Sequence, residues 1–295
     1  MKVHWIIEGG IFGDEGYHLE LEAVRQGHVV TSTPKNPFFT DERLDHLNLL
    51  LDFDIRTVSD RCVLYRGSCS SVGWIQQNSP AEPGAAWSPR HKFFCTGYYA
   101  NFGKYMMNSP YVFVQVSELK RMLDFYFDTF GYTVDGESKI FVKSDSGSKV
   151  VSGGLMSKSD IKGHFGDLKG NEVMPYDDVM LLIAMPKNIS REFRFVVSDG
   201  KVLTGGQYLP ITSNIVPDYV REYADEVLEN MTWDPDGICK MWTLDIAELE
   251  STRCQVIEIN SFNSSGLYGL DTEAIVREAS RLAAEDFEEY GKKTE

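Results

Sequence analysis

Apolar positions along this chain recur mostly at period two, in short runs separated by glycine- and proline-bearing turns, with a few stretches at helical spacing. The chain opens on a β-α-β pattern. Val3 to Ile7 predicts a strand, residues 14–26 a helix, and His28 to Thr31 a second strand. Cys62 to Tyr65 predicts a further short strand, followed by a Gly/Ser-rich turn over Gly67 to Gly73. Asn78 to Pro89 contains three prolines and two adjacent alanines, which predicts a linker or surface loop and a boundary. Residues 117–130 have helical spacing, with Ser117 as N-cap and Gly131 as the stop. Strands are predicted at Ile140 to Lys143, Val179 to Ala184, Glu192 to Val197 and Lys201 to Leu203. Residues 217–230 read as a helix with Pro217 in its first turn. Two more strands, Met241 to Ala247 and Cys254 to Asn260, precede an acidic amphipathic helix over about 272–290. Strands interleaved with helices predict α/β or α+β layers rather than a bundle or a sandwich.

A length of 295 residues allows two or three subdomains with an ample core. The formal net charge of −15 disfavours nucleic acid as a partner, although it leaves room for a local basic groove. No apolar run reaches the length of a membrane span, and the N-terminus turns polar too soon for a signal peptide. The five cysteines form no C-x-x-C pair and read as reduced thiols of a cytoplasmic protein. The six histidines have no zinc-like spacing.

Three segments carry candidate chemistry. In the first, the strand Ile140 to Lys143 delivers a lysine into a loop of small residues, Ser144 to Ser148, which continues to Ser152-Gly153-Gly154. Such a loop can cradle phosphates beside the lysine's point charge, or it is a hairpin turn with solvated serines. No P-loop motif occurs. In the second, alternation puts Phe193, Phe195 and Val197 on one face and Glu192, Arg194 and Val196 on the other. An acid and a base two apart need partners if buried. The plain alternative is a solvent-facing strand with a cross-strand ion pair. In the third, Glu258 and Asn260 share a face with Cys254 and Val256, and Asp245 shares one with Met241 and Thr243. Two carboxylates and an amide oxygen suit Mg²⁺, which takes hard oxygen ligands together with phosphate. Here the alternative is an edge strand with exposed acids. Glu8-Gly9-Gly10-Ile11-Phe12-Gly13 lacks the G-x-G-x-x-G fingerprint and reads as a plain βα turn. Asp177-Asp178 reads as a solvated turn.

Taken in order, the lysine strand, small-residue loop, apolar strand, Glu-x-Arg strand, Asp strand and Glu-x-Asn strand resemble the ATP-grasp superfamily over roughly residues 117–270. The chain looks most like the small divergent ATP-grasp proteins of bacterial and viral genomes, with Glu258-Ile259-Asn260-Ser261-Phe262 followed by Gly266-Leu267-Tyr268. The resemblance implies an α/β N-terminal domain over 1–88, a linker and first α+β subdomain over 89–190, and a second subdomain with the metal site over 191–295. It implies that Lys143 contacts the α-phosphate and adenine side of ATP and that Lys120 is a second phosphate-binding lysine, under a loop over Ser146 to Gly154 that includes Gly147 and Ser148. Ile183, Ala184 and Met185 would form the adenine hinge, and Glu192 would hold the ribose. Asp245, Glu258 and Asn260 would bind one or two Mg²⁺. Many ATP-grasp ligases carry an arginine two residues before the metal aspartate, where this chain has Thr243. Arg194 is the candidate to supply that charge at the γ-phosphate and, with Lys143, to act in catalysis. The implied activity is ATP- and Mg²⁺-dependent carboxylate–amine ligation through an acyl phosphate, on small-molecule or peptide substrates. A nucleotide-binding regulatory protein and a small-molecule phosphotransferase are the alternatives on the same fold.

Overall fold

A computed structural model describes residues 1–38, 40–81, 86–145, 151–166, 177–231, 233–234, 236–250 and 253–290. The first layer comprises β1 (His4–Glu8), α1 (Asp14–Arg25), β2 (Val29–Thr33), α2 (Asp41–Leu51), β3 (Val63–Arg66) and α3 (Cys69–Asn78). Its three strands are parallel in the order β2-β1-β3. Helices cover both faces, as a parallel sheet requires: Leu19 of α1 packs with Trp5 and Ile7, while Leu47 of α2 and Ile75 of α3 pack with Ile6 and Tyr65. The Gly/Ser segment expected as a turn is the start of α3. Ser68 caps it by accepting from Ser71 N, and burial of Val72 and Ile75 outweighs the turn-forming composition.

A 3₁₀ turn (Arg90–Phe93) leads into α4 (Cys95–Phe102). An antiparallel sheet then follows from β4 (Tyr111–Gln115), β5 (Tyr132–Val134), β6 (Glu137–Ser144), β7 (Gly154–Met156) and β8 (Met180–Ala184), in the order β4-β8-β6-β5 with β7 also on β6. Between these strands lie α5 (Val116–Arg121), α6 (Leu123–Phe130) and α7 (Lys158–Phe165). The single helix expected over 117–130 is thus two, broken at Met122, and Gln115 rather than Ser117 precedes the first. The chain ends α6 at Gly131, as its sequence predicts.

The last sheet is antiparallel, β10-β9-β11-β12, from β9 (Ile189–Ser198), β10 (Lys201–Leu209), β11 (Met241–Leu249) and β12 (Cys254–Ser261). Helix α8 (Asp218–Glu229) packs Val220 and Ala224 on its Phe193 and Phe195 face. Helix α9 (Thr272–Tyr290) returns to the first layer, where Ile275, Ala279 and Leu282 join Trp5 and Leu19 in one core. Two buried indoles anchor that return: Trp5 Nε1 donates to Ser280 Oγ at 3.0 Å, and Trp87 Nε1 to Asp286 Oδ2 at 2.7 Å. Ala86 and Trp87 are therefore core, although Asn78 to Pro89 reads as surface loop. Among the described residues no helix is long and apolar enough to cross a membrane, and all five cysteines are free thiols.

Candidate active site

The polar residues of the last sheet share one face because of register. Arg194 of β9 pairs with Asp245 of β11, and Asp245 pairs with Glu258 of β12, so the three side chains form a row across the strands. Asn260 pairs with Thr243 next to that row, and Glu192 lies two residues along β9. One expectation about faces is overturned. The β11–β12 register shifts after Asp245, so that Ile257 is an extra residue and Ile246 pairs with Val256. This bulge turns Cys254 and Val256 toward the apolar core, opposite Glu258 and Asn260.

Lys143 reaches this face from β6 of the other sheet and forms an ion pair with Glu258. Asn260 Nδ2 donates to the other Glu258 oxygen at 2.8 Å. Burial works against the lysine's charge, but the Glu258 carboxylate overrides it and holds the ammonium above the usual lysine range. Between the sheets lies a cavity of about 340 Å³, lined by Lys143, Glu192, Glu258 and Asn260, with Phe141 and Gly153 on the β6 side. Burial raises the Glu192 carboxyl above the ordinary glutamate value, opposed by a hydrogen bond from Tyr208. Asp245 and Arg194 are not solvent-facing charges, at 1% and 6% exposed.

Arg194 forms a two-pronged pair with Asp245, at 2.7 and 2.5 Å, and its Nη1 donates to Gly266 O at 2.8 Å. The stacked rings of Tyr208 and Tyr268 flank its guanidinium. Burial disfavours this cation, and Asp245 keeps it charged. Arg194 does not line the cavity beside Lys143 and Glu192, but the wall of a second and larger one of about 750 Å³ that shares Asn260 and Phe93 with the first.

The structure brings together Lys143, Glu192, Arg194, Asp245, Glu258 and Asn260, and leaves other sequence candidates elsewhere. Lys120 sits on α5 in an ion pair with Asp177 at 3.1 Å and lines neither cavity. Asp177 and Asp178 do form a turn, in which Asp178 is exposed but Asp177 is a half-buried ion-pair partner rather than solvated. Ile183 and Ala184 are buried within β8, and Met185 emerges just past its end. Their side chains line neither cavity, although Ala184 pairs through the backbone with Phe141, which does. Ser146, Gly147 and Ser148 lie outside the described residues. At the end of β1, the Glu8 carboxylate accepts from Tyr65 Oη, Ser68 N and Asn36 N, at 2.9, 2.9 and 2.7 Å, so it ties β1 to β3 and to the segments that follow β2 and β3.

Several site residues had no signal in the sequence. Tyr208 sits at an irregularity in β10, and Glu15, in the first turn of α1, accepts from the backbone of Leu267 and Tyr268. Arg66, at the end of β3, is fully buried between the rings of Phe12 and Phe262, with its carbon 4.7 and 4.5 Å from their centroids. One of its nitrogens donates to Ser265 O, whereas Nε and Nη1 have no partner. Burial lowers its pKa to about 9.

The donor set of Asp245, Glu258 and Asn260 consists of hard oxygens and so suits Mg²⁺ chemically. Each carboxylate is at present neutralised by a side-chain cation, Arg194 or Lys143. Among the described residues, no three His, Cys, Asp or Glu side chains are grouped as a ready-made cation site.

The ATP-grasp domain family described as R2K clade family 3 matches residues 100–279. No curated protein matches the chain. Solved structures share its fold. D-alanine–D-alanine ligase from Bacillus anthracis is 12% identical, with a TM-score of 0.59 and all of both chains covered. Carboxyaminoimidazole ribonucleotide synthase from Aspergillus clavatus, complexed with ATP, is 13% identical with a TM-score of 0.58, over 95% of this chain and 77% of its own. A RimK domain ATP-grasp protein from Sphaerobacter thermophilus is 11% identical with a TM-score of 0.55, over 97% of this chain and 98% of its own. At these identities the likeness is one of fold, whereas the family match spans more than half of the sequence, and the chain belongs to the ATP-grasp superfamily, in R2K clade family 3.

Proposed function

We propose that this protein is an ATP- and Mg²⁺-dependent carboxylate–amine ligase, the activity typical of ATP-grasp enzymes. The observation that carries the reading is Lys143 of one sheet meeting Glu258 of the other across a cavity that also holds Glu192, with the Arg194–Asp245 pair beside it. In the reaction, a substrate carboxylate oxygen takes the γ-phosphoryl group as its bond to ADP breaks. The amine nitrogen then attacks the acyl carbon, phosphate leaves, and the nitrogen loses a proton. Such chemistry needs positioning and charge rather than a protein nucleophile.

Lys143 and Arg194 supply positive charge to the phosphoryl oxygens, and Glu192 takes the ribose hydroxyls. The backbone at Ile183 to Met185 faces adenine. Lys120 would have to leave Asp177 to reach a phosphate, so the phosphate charge is assigned to Lys143 and Arg194. Asp245, Glu258 and Asn260 would hold Mg²⁺, which when bound neutralises phosphate oxygens. Free thiols throughout suit a reducing compartment, and we assign the reaction to the cytoplasm.

Product analysis tests the assignment. With Mg²⁺-ATP, ADP and phosphate should form only when a carboxylate and an amine are both present, and hydroxylamine in place of the amine should yield a hydroxamate. Phosphorylation of a single acceptor without phosphate release would make the protein a phosphotransferase. Nucleotide-dependent stabilisation with no turnover across a broad substrate panel would make it a binding protein, a reading favoured only by the full neutralisation of both carboxylates by protein cations.

A further inference from the structure

The larger cavity lies at the carboxyl-terminal edge of the parallel sheet. Ile11 and Phe12, just past β1, and Cys69 and Ser70, just past β3, line it. In open α/β sheets this crevice beyond the strand ends is where ligands bind. Its walls are largely apolar, from Phe12, Phe93, Phe94 and Tyr268, and about 750 Å³ accommodates a ligand well beyond the size of a single amino acid.

The charge of the cavity runs against that of the chain. The protein carries −15 overall, yet Arg90 and Arg194 line the cavity and Arg66 stands behind Phe12. Glu15 is the one carboxylate among the lining residues, and its oxygens are engaged by the N–H groups of Leu267 and Tyr268. Arg194 is held by Asp245. Arg90 differs, since among the described residues it has no ion pair. Its guanidinium lies over Gly73 of α3, where a Cβ would come within 2.3 Å of Nη2. The start of α3 is already served, since the Glu8 carboxylate accepts from Ser68 N at its N-cap, so Arg90 is the cation of this wall that no carboxylate among the described residues engages. The second, independent sign is Arg66. Two of its nitrogens are buried and unpartnered, and its guanidinium touches Phe12 and Ser265, both of which line the cavity. A buried cation left this way favours negative charge nearby.

We propose that this cavity holds the acceptor substrate, and that the acceptor has an aromatic or branched apolar body and a fixed anionic head group, carboxylate or phosphate, seated on Arg90. The word acceptor rests on the ligase reading. Binding of the head group does not, and the two are tested apart.

The probes are N-acetylphenylalanine, its neutral primary amide and phenyl phosphate, titrated into the full chain by ligand-observed NMR. At least one anionic probe should bind, with the amide ten-fold weaker or worse. Arg90→Gln should weaken the anionic probe at least ten-fold. Gly73→Ala, which displaces the guanidinium, should do the same without lowering the unfolding temperature of the free protein. Preference for phenyl phosphate assigns a phosphate head group, and preference for the amino-acid derivative a carboxylate. Equal binding of acid and amide, no effect of Arg90→Gln, or no binding of either anion overturns the proposal. Mg²⁺-ADP titrated alone reports on the nucleotide site, and its failure to bind the wild type counts against the ligase reading instead.

Discussion

Both oxygens of Glu258 are engaged: Lys143 occupies one and Asn260 donates to the other. Replacing it therefore does more than remove a metal ligand, because it also strands a largely buried ammonium. Glu258→Gln should lower ATP turnover at least a hundred-fold, a barrier change of about 3 kcal/mol. It should also cost about 3–5 kcal/mol of stability in urea unfolding. The double variant Lys143→Met with Glu258→Met should recover most of that stability and none of the turnover, which separates the two roles. Wild-type turnover in Glu258→Gln would sink the metal assignment. Glu192 makes a prediction with pH. Burial raises its folded-state pKa, so the unfolded chain loses this proton first, near the ordinary value of about 4.3. Stability is then lost as pH rises from that value through the folded pKa. Glu192→Gln should raise the unfolding temperature at pH 7, and the gain should vanish below about pH 4. An equal gain at both pH values would refute the linkage. The residue types of this site were legible in the sequence, since Lys143, Glu192, Arg194, Asp245 and Glu258 are unusual charges in apolar strands. Their pairing was not legible, because which cation meets which carboxylate depends on strand order, and strand order is not written in local alternation.

At the level of elements, alternation located β9, β11 and β12 and set the polar face of each. It misassigned Cys254 and Val256 because period-two reading assumes no inserted residue, and the bulge at Ile257 breaks the count. Helix α3 was read as a turn for a different reason. Cys69, Ser70 and Ser71 have turn-forming composition, and only the burial of Val72, Gly73 and Ile75 makes that stretch a helix. The short strands β4, β5 and β7 owe their existence to neighbours in the sheet, which no window of sequence contains. The segment before the 3₁₀ turn shows the same dependence: Trp87 is core because Asp286, on α9, accepts from its indole. Trp87→Phe should therefore cost about 1–3 kcal/mol in chemical unfolding, the price of an unsatisfied buried acceptor. Nucleotide affinity should stay unchanged, since neither residue lines the cleft. A neutral Trp87→Phe would mean that solvent replaces the bond.

For the molecule as a whole, ligand binding gives the most direct test. Mg²⁺-ATP at a hundred times its dissociation constant should stabilise the fold by about 2.7 kcal/mol, read as a rise of several degrees in the unfolding midpoint. No shift at saturating nucleotide would argue against the cleft as an ATP site. The layered α/β architecture was legible from the order of strands and helices. That α9 closes over β1 was not, because an amphipathic pattern shows that a helix has an apolar face without saying what the face meets. This closure bears on how the protein is made. The ribosome delivers Trp5, Ile7 and Leu19 long before the surface that covers them, Ile275, Ala279 and Leu282. A parallel sheet waiting with one face bare is prone to aggregate during synthesis. A sheet made early is finished by a helix made much later, so the N-terminal layer depends for its folding on a segment far along the chain.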